Sequence, residues 1–137
     1  MGCYMVTGRW VYVGAKTKGK LSPTQKATII AACEKLIQDV LIPRYLPEIR
    51  PTEYNYPISI YGKLNGLYYR FITRFKSDHP DSTAPEFDAP FARLECVGNH
   101  FDLSYHRYTG EWIRVYEKLT LEDALARIAE GEYFHPC

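Results

Sequence analysis

Two alternating runs meet at Asn65-Gly66, and this junction constrains the fold more than any other feature of the chain. Asn-Gly between alternating runs is a strong hairpin signal, because a type I′ turn needs positive φ at both central residues. A two-residue turn there predicts that Leu64 faces Leu67, Gly62 faces Tyr69, Ile60 faces Phe71 and Ile58 faces Thr73. One face then carries Ile58, Ile60, Leu64, Leu67, Tyr69, Phe71 and Phe75, nearly all apolar. The other carries Ser59, Tyr61, Lys63, Tyr68, Arg70, Ile72 and Arg74. A one-residue slip would exchange the faces, so the clean sorting supports a strand pair with one side on a core.

The flanking segments supply the partners for that core. Ser22-Pro23-Thr24-Gln25 is a helix start, with Ser22 as cap, Pro23 in the first turn and Gln25 completing a capping box. Ile29, Ile30, Cys33, Leu36, Ile37, Val40 and Leu41 follow as one helical stripe, and Pro43 is expected to end it. Pro43 to Pro57 reads as an extended connection and Ser77 to Pro90 as a loop. A second hairpin turns at Gly98-Asn99 and sets Cys96 opposite Phe101, Leu94 opposite Leu103 and Ala92 opposite Tyr105. It also sets Glu95 opposite Asp102, a repulsive pair that needs a cation from Arg70, Arg74 or Arg114. Tyr108-Thr109-Gly110 turns into a strand from Glu111 to Tyr116. Thr120 then opens a short helix that Gly131 closes. The expectation is a single α+β domain over residues 1–137. A long N-terminal helix packs on an antiparallel meander sheet of about five strands, followed by a short C-terminal helix. Residues 1–20 read as a strand-like segment, whose Thr7 to Val13 echoes Thr109 to Val115, and a mobile basic loop; residues 21–137 form the core unit.

A chain of 137 residues buries enough surface for one core without staples. Its four cysteines, Cys3, Cys33, Cys96 and Cys137, include no C-x-x-C pair and no finger-like spacing to a histidine. No apolar leader and no membrane-length apolar run is present, so reduced thiols in a cytoplasm are the expectation. The net charge of +1 hides an asymmetry. Met1 to Lys76 is strongly basic and Ser77 to Cys137 strongly acidic, so the halves either compensate each other or present a polyanion-binding face. Internal compensation ranks first, since halves of one small domain must touch.

Two constellations stand out as sites. Tyr61, Lys63, Tyr68, Arg70 and Arg74 would share the polar hairpin face, where cations can meet phosphates and aromatics can stack on bases. The plain alternative is a solvated sheet face, or one covered by another element. Arg107, Tyr108 and Trp112 cluster at a turn and have the composition of a protein-contact anchor. The loop acids Asp78, Asp81, Glu86 and Asp88 match no calcium spacing, and the four histidines form no metal-ligand pair. No nucleophile motif and no glycine-rich phosphate loop occurs. The expectation is no catalytic residue, no metal and no cofactor.

Four stretches carry a resemblance: LIPRYLPEIRPTEYNYPISIYGKLNGLYYRFITRFKS (Leu41 to Ser77), EFDAPFARLECV (Glu86 to Val97), FDLSYHRYTGEW (Phe101 to Trp112) and LTLEDALARI (Leu119 to Ile128). From Ser22 onward the chain resembles a bacterial family known as a domain of unknown function (thirty twenty-four). The first twenty residues depart from its pattern. No activity or functional residue carries over. The resemblance allows a role in defence, counter-defence or regulation, in a bacterial or phage setting. The reading is a non-enzymatic binding module, first as a nucleic-acid-associated accessory or regulatory protein. The alternative is a protein-protein module, either an inhibitor or a homodimer; an enzyme comes third.

Overall fold

The computed structural model describes residues 3–6, 9–12, 20–78, 80 and 85–136. The elements are β1 (Cys3–Val6), β2 (Arg9–Tyr12), α1 (Pro23–Leu36), a π-helical turn (Ile37–Leu41) and α2 (Ile42–Tyr45). Then come β3 (Asn55–Asn65), β4 (Tyr68–Ser77), β5 (Glu86–Val97), β6 (His100–His106), β7 (Trp112–Leu119) and α3 (Leu121–Glu130). β1 and β2 pair with each other, and β3 to β7 form a five-stranded antiparallel meander in sequence order. The α+β architecture is the one expected. Most of the basic segment Gly14 to Lys20, the loop residues His79 and Asp81, and Cys137 lie outside the described residues.

The start of α1 follows its sequence signal. Ser22 Oγ accepts from the Gln25 N–H at 3.1 Å, and Gln25 Oε1 accepts from the Ser22 N–H at 2.9 Å. The end does not. Ile42, before Pro43, stays helical at φ −64 and ψ −50, and the helix runs on to Tyr45. The π-turn explains this. The Ile42 N–H reaches back five residues to the Ile37 carbonyl, so the wider turn makes room for a proline ring that a regular helix would reject. It also corrects the stripe. Ile29, Cys33, Ile37 and Leu41 are buried at every fourth residue, a spacing that drifts around a 3.6-residue helix. The wider turn brings the last of them back toward the sheet.

The first hairpin keeps its faces but shifts its register. Asn65 pairs with Tyr68, Leu64 with Tyr69, Gly62 with Phe71 and Ile60 with Thr73. The turn residues are therefore Gly66 and Leu67, and of these only Gly66 has positive φ, at +62. Glycine in the first central position is the type II′ solution. A shift of two residues in the pairing leaves the side chains from Ser59 to Leu64 and from Tyr68 to Arg74 on their predicted faces, while Leu67 moves into the turn. That shift gives Thr73 to Ile60, and Ile58 sits at a bulge between Pro57 and Ser59, where Pro57 takes Phe75 and leaves Ile58 unpaired. The second hairpin has the expected register throughout. β5 begins at Glu86, inside the stretch read as a loop, and carries Pro90 where the register breaks against β4. Strand prolines are tolerated at such bulges.

Both layers meet in one core. Ile29, Cys33, Ile37 and Leu41 from the helical arm, with Ala124 and Ile128 from α3, pack on Ile60, Tyr69, Phe71, Ala92, Leu94 and Leu103. The arm lies over β3, while α3 lies over β6 and β7. Both helices therefore sit on the same side of the sheet. Past α3, Phe134 returns to the core and is fully buried. Among the described residues no helix is long and apolar enough to cross a membrane.

Burial at this core has a pH consequence. Desolvation, with the nearby Glu34 charge second, pushes the Cys33 thiol from its ordinary 9.0 up to about 12. Desolvation raises the Tyr69 phenol as well. A group whose folded pKa is raised stabilises the fold fully below its unfolded value and loses that contribution as pH climbs through the folded one. Stability should therefore hold below pH 9 and decline between pH 9 and about 12. Urea midpoints measured on either side of pH 9 check this, and equal midpoints would refute it.

Candidate functional site

The side of the sheet away from the helices gathers the polar residues of five strands. Strand pairing aligns them in rows at right angles to the strands. Lys63 lies opposite Arg70, Arg70 opposite Arg93, Arg93 opposite Ser104, and Ser104 opposite Arg114. One row across the whole sheet thus carries four cations. On one flank Tyr68 lies opposite Glu95, and Glu95 opposite Asp102. On the other flank Tyr61 lies opposite Ile72 and Ile72 opposite Pro90, while His106 lies opposite Trp112. The face is banded: an acidic row, a cationic row, and beyond the cations two separate groups, Tyr61–Ile72–Pro90 on β3 to β5 and His106–Trp112 on β6 and β7.

Arg93 is the centre of this face. Its guanidinium stands 4.6 Å from the Tyr68 ring and 4.6 Å from the Trp112 ring, so two aromatics from different strands hold it. Arg70 lies over the Tyr68 ring as well, at 5.7 Å. Each such contact contributes about 0.5–2 kcal/mol, more where water is excluded. Arg93 Nε is buried without a hydrogen-bond partner, and desolvation lowers its pKa. An arginine still stays charged at neutral pH.

The carboxylates on this face are engaged. Arg114 supplies the cation that the Glu95–Asp102 pair requires, at 3.6 Å from Glu95 and 3.7 Å from Asp102. Asp102 also accepts from the Lys118 backbone N–H at 3.1 Å, at a residue with φ +55. That pair therefore has a structural task, which weakens it as acid–base machinery. Arg74 hydrogen-bonds Asp88 at 2.9 Å and lies 5.5 Å over the Tyr61 ring. The guanidinium bond holds the Asp88 carboxyl below its ordinary range. Here the basic and acidic halves of the chain do compensate each other. Lys63, Arg70 and Arg93 have no carboxylate within ion-pair distance among the described residues.

The structure thus brings Tyr61, Lys63, Tyr68, Arg70 and Arg74 to one face, with Arg74 tied to Asp88. It divides the second candidate cluster. Trp112 belongs to the sheet face, packed on Arg93 and edge-on to His106 at 4.9 Å. Arg107 and Tyr108 stay at the turn, with Arg107 5.7 Å over a Tyr108 ring that is 91% exposed. Arg93, the residue at the centre, escapes a sequence reading. The Gly98-Asn99 turn sets it opposite Ser104, but no turn signal sets β5 against β4. Elsewhere, a cleft of about 320 Å³ between the start of α1 and the β5–β6 turn is mainly apolar. Its one ionisable lining group is Cys96, whose thiol burial raises. No group of three or more His, Cys, Asp or Glu that could hold a metal ion occurs among the described residues.

Fold and site together define a two-layer α+β domain with helices on one face of its sheet and a banded polar face on the other. The chain belongs to the family described as Domain of unknown function (DUF3024), whose model matches residues 21–136. Searches of curated proteins and of solved structures find no match.

Proposed function

We propose that this domain is a non-enzymatic binding module that takes a nucleic acid on the sheet face opposite its helices. The observation that carries the reading is Arg93 held between Tyr68 and Trp112, with Arg70 directly beside it. Like charges opposite each other on adjacent strands destabilise a sheet. A bound phosphate chain relieves that repulsion, and the half-buried rings of Tyr61 and Trp112 offer their remaining surface to bases. A cytoplasmic setting is supported by Cys33 and Cys96, both unpaired thiols.

Binding of a labelled oligonucleotide followed against salt tests this. Affinity should fall as salt rises, in proportion to the few phosphates contacted, because released counterions drive such contacts. Arg70→Ala combined with Arg93→Ala should weaken binding by at least about tenfold, since two charge-assisted contacts at ~1 kcal/mol or more are lost. Circular dichroism would confirm that the double variant folds. Unchanged affinity in a folded double variant overturns the reading.

A protein partner at the Arg107–Tyr108 turn is the second reading, favoured by the exposure of Tyr108. Binding through that turn would be insensitive to salt and lost in Tyr108→Ala.

A further inference from the structure

Resting on the nucleic-acid reading above, we infer that the ligand is a single strand, laid across the sheet at right angles to the β-strands. Its phosphates follow Lys63, Arg70 and Arg93, and its bases lie on the Tyr61–Trp112 side. The inference comes from the banding. A single strand has two unlike edges, a charged backbone and a row of flat, uncharged bases. The face has two matching edges side by side. The cationic row Lys63–Arg70–Arg93 is bordered by Tyr61, with the buried Ile72 beside it, at the β3 edge and by His106 and Trp112 at the β7 edge. On the opposite side of the cations stand Glu95 and Asp102. Those carboxylates already occupy Arg114, so on that side Arg114 is not free for a phosphate chain and the backbone keeps to the Lys63–Arg70–Arg93 row.

A duplex fits this banding poorly. Its bases are stacked inward and its phosphates line both edges, so it can use the cations but not the aromatic row. The length of the site follows from strand spacing. Neighbouring strands lie about 4.8 Å apart, so Lys63 to Arg93 spans about 10 Å. That is room for two or three phosphates, and the slope of log affinity against log salt should be on the order of −2. Tyr68 is a positioning residue here: it holds Arg93 and Arg70 from the acidic side.

Three probes separate the outcomes: a short oligo-dT, a duplex of the same length, and inorganic polyphosphate. The expected result is that oligo-dT binds at least tenfold more tightly than the duplex, with the shallow slope given above. Trp112→Leu should weaken oligo-dT by about tenfold, as loss of one stacked base implies, and polyphosphate by clearly less, since that probe loses only the ring's hold on Arg93. Should that variant fail to fold, the Trp10→Phe protein keeps Trp112 as its single tryptophan. Its emission should then change much more with oligo-dT, whose base stacks on the ring, than with polyphosphate, which reaches it only through Arg93. Duplex binding as tight as oligo-dT, or Trp112 emission that responds to both anions alike, overturns the single-strand inference and leaves the nucleic-acid reading standing. Failure of all three probes to bind removes both.

Discussion

Phe134→Ala should lower unfolding free energy by about 3–5 kcal/mol, the cost of emptying a fully buried aromatic site. Phe134 lies three residues past the glycine that closes α3, yet it is fully buried in the core that contains Ala124, Ile128 and Leu103. Its ring centroid is 6.3 Å from Tyr116 and 6.1 Å from Tyr133, which in turn stacks on Tyr105 at 5.2 Å. The tail thus closes the gap between α3 and the last two strands. Urea unfolding of the variant measures the effect. A loss below about 1 kcal/mol, the range of a surface substitution, would mean that the tail does not complete the core.

Gly62→Ala should be nearly as damaging, at about 1–3 kcal/mol or more, because overpacking forces a well-packed core to move. A Cβ at Gly62 would stand 2.0 Å from the Tyr69 hydroxyl and 2.3 Å from its ring carbon. Tyr69 cannot yield, being almost fully buried and edge-on to Phe71 at 5.1 Å. Gly62 is therefore the slot that admits the Tyr69 ring. Tyr69→Phe by itself should be neutral or stabilising by about 1 kcal/mol, since the hydroxyl is buried and unpartnered. It should not rescue Gly62→Ala, because the ring carbon still overlaps. Tyr69→Leu should rescue much of it, giving a strongly non-additive double variant. Simple additivity would contradict the slot.

The two predictions show where the fold was readable and where it was not. Local chemistry was legible: the Ser22 capping box, the Thr120 and Gly131 helix ends, and the Gly98-Asn99 register all follow from residue types at fixed offsets. The Asn65-Gly66 signal predicts a pairing two residues away from the observed one, yet the faces flanking the turn survive because side-chain period in a strand is two. Pro43 misled because a π-turn is invisible in propensity: it depends on the sheet beneath pulling Leu41 inward. Phe134 belongs to no periodic pattern, so only tertiary packing reveals it.

The candidate site divides along the same line. Tyr61, Lys63, Tyr68, Arg70 and Arg74 share a face because one hairpin carries them all. Arg93 and Arg114 join that row only through the β4–β5 and β6–β7 pairings, and the connection before β5 holds no tight-turn signal to set its register. Trp112 reads as part of a turn in sequence. Its strand position places it instead against Arg93.

An NMR titration of the isotope-labelled domain with a short oligo-dT tests the central claim most directly. The predicted result is that the largest shifts fall on Lys63, Arg70, Arg93 and Trp112, including the Arg93 Nε–H, with α1, α3 and the Arg107–Tyr108 turn unmoved. Shifts concentrated on the helical face or at Tyr108, or none at all, would contradict it.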